Sequence, residues 1–202
     1  MYTLALFERD ILLWIHGHLR FAALTPIMRV LSLLGDKGLF WIALTLVLLL
    51  FRKTRRVGIY CAVSMILTFL IVNCAIKSLV ARTRPYDLFT EIQILAHAEH
   101  DFSFPSGHSA NSFAVAWILF RMTKKQYGVP AVILAALIAF SRLYVGVHYP
   151  TDVLAGTAIA IALAELTLHQ LPPIERKINR KILRSRRRKS KMRAHNGGRH
   201  IS

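Results

Sequence analysis

From Val57 to Val80 the chain carries a single charge, Lys77, in an apolar run long enough to cross the hydrocarbon core of a bilayer as one helix. A stretch of that kind has to be buried, in protein or in lipid. At 202 residues, 54% hydrophobic, with a mean hydropathy of +0.44, the chain is too apolar to bury it as an ordinary soluble domain. A multi-pass membrane protein is the leading class. Four further apolar runs, Leu39–Phe51, Ser106–Met122, Val129–Gly146 and Thr151–Leu171, bring the expected spans to five. The expected fold is all-α, a polytopic membrane helical bundle.

The N-terminal region reads differently. Met1–Arg20 sets Glu8, Arg9, Asp10, His16 and His18 among its apolar residues, which suits an amphipathic helix lying in the membrane interface. It lacks the basic start and unbroken apolar core of a cleavable signal peptide. Phe21–Leu34 is apolar but short and holds Pro26 and Arg29, so it reads as a surface-lying or re-entrant element, or as a strained sixth span. Three regions follow: 1–38 interfacial or re-entrant, 39–171 a transmembrane core, and 172–202 a basic tail. Pro172-Pro173 is expected to end the last span, and the tail has the composition of a disordered segment. Cys61 and Cys74 lie thirteen positions apart, about 20 Å along a helix, too far for a disulfide.

Net charge is +17, and Ile174–Ser202 supplies much of it, with twelve Lys/Arg against Glu175 alone. The loop Arg52–Arg56 and the loop holding Arg121, Lys124 and Lys125 fall on the same face as the tail. The positive-inside rule makes that face cytoplasmic. The opposite loop, Tyr86–Phe104, has four acids and no Lys or Arg.

Three clusters converge near this outer face. In the first, Lys77 and Arg84 are seven positions apart, so a continuous helix would put both on one side about 10 Å from each other. A lysine that deep in a span implies a function or a partner, although either cation alone could simply snorkel, as Arg82 could. In the second, Pro105-Ser106-Gly107-His108 opens a span. The free N–H groups of a helix start favour anions, Gly107 would let a ligand come close to the backbone, and His108 could offer a proton. An ordinary capped helix start explains the same residues. The third is Arg142, His148 and Asp152. Pro150 suits the first turn of a helix, which would let Asp152 accept a hydrogen bond from one ring nitrogen of His148. The other nitrogen would stay free, as a nucleophile or base requires. A helix cap beside a surface histidine is the plain alternative.

Taken together, the clusters offer three cations, an anion-binding helix start and two histidines, with no Cys or acidic grouping at metal-ligand spacing. Phosphoryl transfer asks for these parts. Lys77-SLVART-Arg84-Pro85, Pro105-Ser106-Gly107-His108 and Ser141-Arg142-LYVGV-His148-YPT-Asp152 resemble the three-part signature of the type 2 phosphatidic acid phosphatase family, over roughly Leu39–Leu171. The resemblance implies a metal-independent integral-membrane lipid phosphatase without a cofactor. It makes His148 the phosphoryl-accepting nucleophile, Asp152 its orienting carboxylate and His108 the acid for the leaving group. Lys77, Arg84, Ser106, Gly107 and Arg142 would hold the phosphate oxygens. The residues by themselves do not say which histidine attacks.

Five apolar runs set the chain apart from the soluble haloperoxidases that share this signature. By analogy the substrate expected first is undecaprenyl diphosphate, with phosphatidylglycerophosphate and phosphatidic acid as alternatives. A non-enzyme reading is a membrane anchor whose tail, with Arg184–Lys191, binds nucleic acid or a protein partner. The tail has almost no aromatic residues to stack on bases, so contact with anionic lipid is the expected role and nucleic acid is not an expected partner.

Overall fold

The structure is a computed structural model that describes residues 2–197, with side chains for 3–174 and Arg176. Among the described residues there is helix and no strand. The elements are α1 (Tyr2–Leu19), α2 (Leu24–Leu34), α3 (Leu39–Leu50), α4 (Arg55–Thr68), α5 (Lys77–Val80), α6 (Pro85–Leu88), α7 (Gly107–Met122), α8 (Lys125–Tyr144) and α9 (Pro150–Gly197). A π-helical stretch, Phe69–Ile76, joins α4 to α5. The chain divides into two compact units, Met1–Glu165 and Leu166–Ser202.

Three helical stretches are long and apolar enough to cross a membrane: Arg55–Leu88, Lys125–Tyr144 and Pro150–Ile174. A fourth arises if α2 and the stretch Asp36–Leu50 count as one span bent by 48°. The expected five spans are thus met only in part. The expected run Leu39–Phe51 gives the 12 residues of α3, about 18 Å, too short to cross alone. What reads in sequence as a break between two segments, Gly35–Gly38, is the hinge of the bent pair. Lys37 (φ 49°) and Gly38 (φ 68°) are both left-handed there. Helix α7 has 16 residues, about 24 Å, and length alone does not mark it as a span.

Helix α7 is nonetheless the centre of the first unit, packed by α8, α4 and α3. Its buried side chains are mostly small, including Ala110, Ala114, Ala116 and Val115, so neighbouring backbones come close. Polar side chains tie it to its neighbours. Trp41 Nε1 donates to Ser112 Oγ (2.9 Å), Ser64 Oγ to the Ala114 carbonyl (2.9 Å), and Trp117 Nε1 to Glu165 Oε1 (2.7 Å). Such bonds hold helices together where lipid gives apolar faces no reason to pair.

Helix α1 packs one face against the rest of its unit and leaves Leu4, Phe7, Asp10, Trp14 and His18 exposed. Ala5 and Leu12 pack against Phe89, Ile92 and Tyr149, and Ile15 packs with Met28, Tyr144, Val145 and Val147. Glu8 points inward and is buried. Beyond the end of α1, Arg20 donates to the carbonyls of Tyr144 (2.7 Å) and Gln93 (2.8 Å), clasping the loop that carries His148. The backbone of α9 stays helical through Pro172 and Pro173, where an end was expected. The side chains of Arg184–Lys191, and with them the expected lipid contact of the tail, lie outside the described residues.

Candidate active site

Two helix starts meet at the site. The N–H of Ser106 donates to the Asp152 carbonyl (3.0 Å), joining the first turn of α7 to the first turn of α9. Gly156 permits the contact, because a Cβ there would lie 2.5 Å from the Ser106 carbonyl oxygen. Gly107 is equally constrained: a Cβ would sit 2.9 Å from Asn73 Oδ1, so the close neighbour of this glycine is a side chain of the π-helical stretch. The Ser106 hydroxyl is buried and accepts from Ser109 N (3.4 Å) and Ser109 Oγ (3.0 Å). In this geometry Ser106 caps α7.

The cations converge, but not by helical periodicity. Helix α5 stops at Val80, and Ala81 turns left-handed (φ 48°), so Arg82 and Arg84 leave on different sides. The expectation of Lys77 and Arg84 on one helix face is corrected here: they meet through a shared carboxylate. Asp101 accepts from Lys77 Nζ and from Arg84 Nη2. Glu99 lies 2.5 Å from Arg84 Nη2 and accepts from Arg142 Nη2. Arg84 also donates to the carbonyls of Asp101 and Val147, each at 2.8 Å. Arg142 donates to Ser32 Oγ. Burial pushes the Glu99 carboxyl up, but Arg142, His148 and Arg84 outweigh it and hold the group below the usual carboxylate range. Asp101 is likewise held low against its burial, by Lys77 and Arg84.

His148 is buried, 1% exposed. Its Nε2 faces Arg84 Nη1 at 3.5 Å and Glu99 Oε2 at 4.0 Å. Its Nδ1 faces Asp152 Oδ2 at 3.5 Å, longer than a good N–H···O bond, and makes no other. Asp152 is held from every side. Oδ2 accepts from Ser103 Oγ (2.5 Å) and Tyr149 N (2.9 Å), and Oδ1 accepts from Arg82 Nη1 (2.7 Å). Burial drives the His148 imidazole below its ordinary value despite the pull of Asp152.

A cavity of about 720 Å³ opens here, with Lys77, Gly107, His108 and His148 in its wall beside Glu99 and Asp101. Arg84, Arg142 and Asp152 contact the wall residues Asp101, Glu99 and His148, and Ser106 adjoins Gly107. His108 Nε2 is 4.0 Å from Asp36 Oδ1, across the hinge of the bent pair. Among the described residues no group of three or more His, Cys, Asp or Glu could hold a metal ion. All eight residues singled out in the sequence therefore line one cavity or adjoin its lining residues. Sequence reasoning missed Glu99, Asp101, Ser103, Asp36, Arg82 and Glu8. The signals were faint: a cation-free acidic loop between the first two motifs, and Glu8, Arg9 and Asp10 set among the apolar residues of the first helix.

The arrangement can neutralise a multiply charged oxyanion, present a ring nitrogen to it and deliver a proton from a second ring. Comparison with known proteins gives the family. The undecaprenyl-diphosphatase of Sulfolobus acidocaldarius is 31% identical over 157 residues, 77% of this chain and 75% of that one. The crystal structure of a transmembrane PAP2-type phosphatidylglycerolphosphate phosphatase from Bacillus subtilis superposes with a TM-score of 0.69 at 26% identity, covering 88% of this chain and 89% of that one. Aquifex aeolicus LpxE gives a TM-score of 0.70 at 28% identity, over 79% and 93% of the two chains. Residues 57–176 match the model of the PAP2 superfamily, and this chain, a multi-pass membrane phosphatase, belongs to that family.

Proposed function

We propose that the chain hydrolyses a lipid phosphate ester or diphosphate through a phosphohistidine on His148, without a metal ion. The observation that carries this reading is the pair of carboxylates, Glu99 and Asp101, gathered by Lys77, Arg84 and Arg142 beside His148 Nε2. Cations that collect carboxylate oxygens there would collect phosphoryl oxygens equally well. His148 Nε2 attacks phosphorus as the bond to the leaving oxygen breaks. His108 protonates that oxygen, then takes a proton from the water that hydrolyses the N–P bond. Asp152 supports the positive charge that the ring acquires. Lys77, Arg84 and Arg142 hold the oxygens together with the helix start at Ser106-Gly107.

For the substrate we favour undecaprenyl diphosphate, cleaved to undecaprenyl phosphate, because a relative similar over three quarters of its length bears that activity in its name. Phosphatidylglycerophosphate is the second reading, favoured by the Bacillus subtilis structure. Phosphate release from a panel of prenyl and glycerolipid phosphates, run with chelator and with vanadate, separates them. The favoured result is highest kcat/KM on the prenyl diphosphate, unaffected by chelator and abolished by vanadate. Loss of activity in chelator, restored by a divalent ion, overturns the metal-free mechanism.

We further place five spans in the cell membrane, α7 completing the set, with the cavity on the outer side and the tail in the cytoplasm. The Lys/Arg asymmetry supports this orientation. In a background lacking Cys61 and Cys74, an impermeant thiol reagent should label Glu91→Cys from outside and Ser190→Cys only after permeabilisation. Truncation after Ile174 should leave turnover intact, whereas a tail-driven binder would lose its function.

A further inference from the structure

Asp152, the carboxylate facing His148, is gripped on its far oxygen by an arginine, and that arginine is gripped in turn by a buried acid from the first helix. Arg82 Nη1 donates to Asp152 Oδ1 at 2.7 Å and to Thr151 Oγ1 at 2.8 Å, and its guanidinium lies 3.8 Å above the Tyr149 ring. Arg82 Nη2 lies 2.5 Å from Glu8 Oε2. The other Glu8 oxygen accepts from the Thr151 N–H (2.9 Å) and hydroxyl (2.6 Å). The Glu8 side chain is 2% exposed and that of Asp152 is 0%. Taking ions this deep out of water opposes folding before they are paired, and replacing such pairs by apolar residues is often neutral or stabilising. Docking alone is a weak reason for this clasp.

Its charges suggest a better one. When His148 Nε2 bonds to phosphorus, the ring becomes cationic and leans on Asp152. An arginine on Asp152 would by itself cancel that support. Glu8 cancels the arginine, so the order outward from the ring is negative, positive, negative.

We propose that Arg82 and Glu8 are positioning residues for the phosphoryl-transfer reaction. Arg82 fixes the Asp152 carboxylate so that Oδ2 faces His148 Nδ1, and Glu8 neutralises Arg82 so that the charge of Asp152 remains available to the ring. This rests on the reading of His148 as nucleophile.

The two residues act on the ring with opposite signs, and a merely structural clasp would not. Glu8→Gln keeps an acceptor for Thr151 but leaves Arg82 uncompensated, disfavouring the protonated ring. The acid limb of kcat/KM should move to lower pH. Arg82→Gln leaves Glu8 uncompensated, and the limb should move to higher pH. A unit charge at this range is worth about half a pH unit or more. The other charges facing His148 are Arg84 and Glu99 at its Nε2, Asp152 at its Nδ1, Arg142 behind Glu99, and His108 in the same cavity wall, and all stay in place in these variants. In both singles kcat should fall roughly tenfold or more with KM little changed, as for other groups that orient a functional histidine. The double variant, neutral again, should bring the limb back to its wild-type position.

The pH profiles of wild type, the two singles, the double and Glu8→Asp, measured on purified full-length protein, decide the matter. Thermal melts select the folded variants. If Glu8→Gln does not fold, Glu8→Asp and Arg82→Lys carry the test: both keep the charges, so their limbs should stay in place while kcat falls. Limbs that move the same way or not at all in the neutral singles, or losses confined to KM, overturn the proposal. Turnover retained by His148→Ala would instead overturn the nucleophile reading, whatever the Glu8 variants do.

Discussion

The Glu99 carboxylate stands 4.0 Å from His148 Nε2 while it binds both Arg84 and Arg142, the two guanidinium groups that a phosphoryl group at that nitrogen would use. Substrate must displace it, because the same guanidinium protons cannot serve the carboxylate and a phosphoryl oxygen together. Displacement reduces the apparent affinity of any oxyanion by the fraction of protein in which the arginines are free.

Glu99→Gln should therefore bind vanadate and inorganic phosphate more tightly, by about tenfold if releasing the arginines gains about 1.4 kcal/mol. It should also be less stable without an anion, by about 1–3 kcal/mol, since Arg84 and Arg142 are 1% and 3% exposed and lose a counter-charge. Phosphate should restore the melting temperature of the variant more than that of the wild type. Inhibition constants and melts with and without phosphate check both halves. Weaker vanadate inhibition in Glu99→Gln would show that Glu99 holds the arginines for the substrate rather than against it.

Gly156→Ala should be costly even though it adds a single methyl group. The new carbon would lie 2.5 Å from the Ser106 carbonyl oxygen, a backbone atom that cannot swing aside, so α9 must move away from α7. Overpacking of this kind costs about 1–3 kcal/mol. The movement would lengthen the bond from Ser106 N to the Asp152 carbonyl, 3.0 Å in the wild type, and displace Asp152 from His148. A lower melting temperature with a larger fractional loss of kcat than of KM is the expected pattern. Unchanged kinetics would mean that the helix starts tolerate separation.

The sequence exposed the residues of the site far better than their connections. Lys77, Arg84, His108, Arg142, His148 and Asp152 are chemically conspicuous beside apolar runs, so their identities and short spacings were readable. Glu8 is 74 positions from Arg82 and 143 from Thr151, and nothing local marks a glutamate that will be buried against them. Asp101 and Glu99 read as an acidic outer loop because their partners lie 15 to 43 positions away. The π-helical stretch Phe69–Ile76 was invisible for another reason. Each bond there shifts by one residue without any change in composition, and this shift, with the left-handed turn at Ala81, decides where Lys77 and Arg84 point. The span count is met only in part where length is borderline, at α3 and α7, because a bend or a surrounding bundle can accommodate a helix that composition alone leaves undecided.

The pH dependence follows from the buried ring. The neutral form of His148 attacks, and burial favours that form, so its folded-state pKa lies under the ordinary value of about 6.5. Protonation switches the nucleophile off, so the acid limb of kcat/KM should rise through that depressed value, while loss of the His108 proton sets the alkaline limb of a bell-shaped profile. Glu99→Gln removes a negative charge 4.0 Å from Nε2, which further favours the neutral ring and moves the acid limb lower still. An acid limb above 6.5 in the wild type would mean that Glu99 and Asp152 outweigh burial.

The two histidines should separate by leaving group. Among the described residues only His148 has a ring nitrogen against Arg84 and Glu99 with a carboxylate behind its other nitrogen, so His148→Ala should lose turnover on every substrate and trap no phosphoenzyme. His108 sits in the opposite role, in the cavity wall with Asp36 as its nearest acid at 4.0 Å. Proton donation by such a group is typically worth about 10²–10⁴-fold, and it matters least when the leaving oxygen is already stable as an anion. His108→Ala should therefore lose most on a lipid alcohol leaving group and markedly less on p-nitrophenyl phosphate. Because hydrolysis of the N–P bond also needs a base to activate water, phosphoenzyme should accumulate in this variant on the activated ester. Asp152→Asn should fall between the two: the ring stays in its cage, but the cation formed on it loses its counter-charge while Arg82 remains beside it. Rapid-quench labelling with both esters reads all three variants. Equal inactivity of His108→Ala and His148→Ala on p-nitrophenyl phosphate, with no phosphoenzyme in either, would reverse or dissolve the assignment of roles.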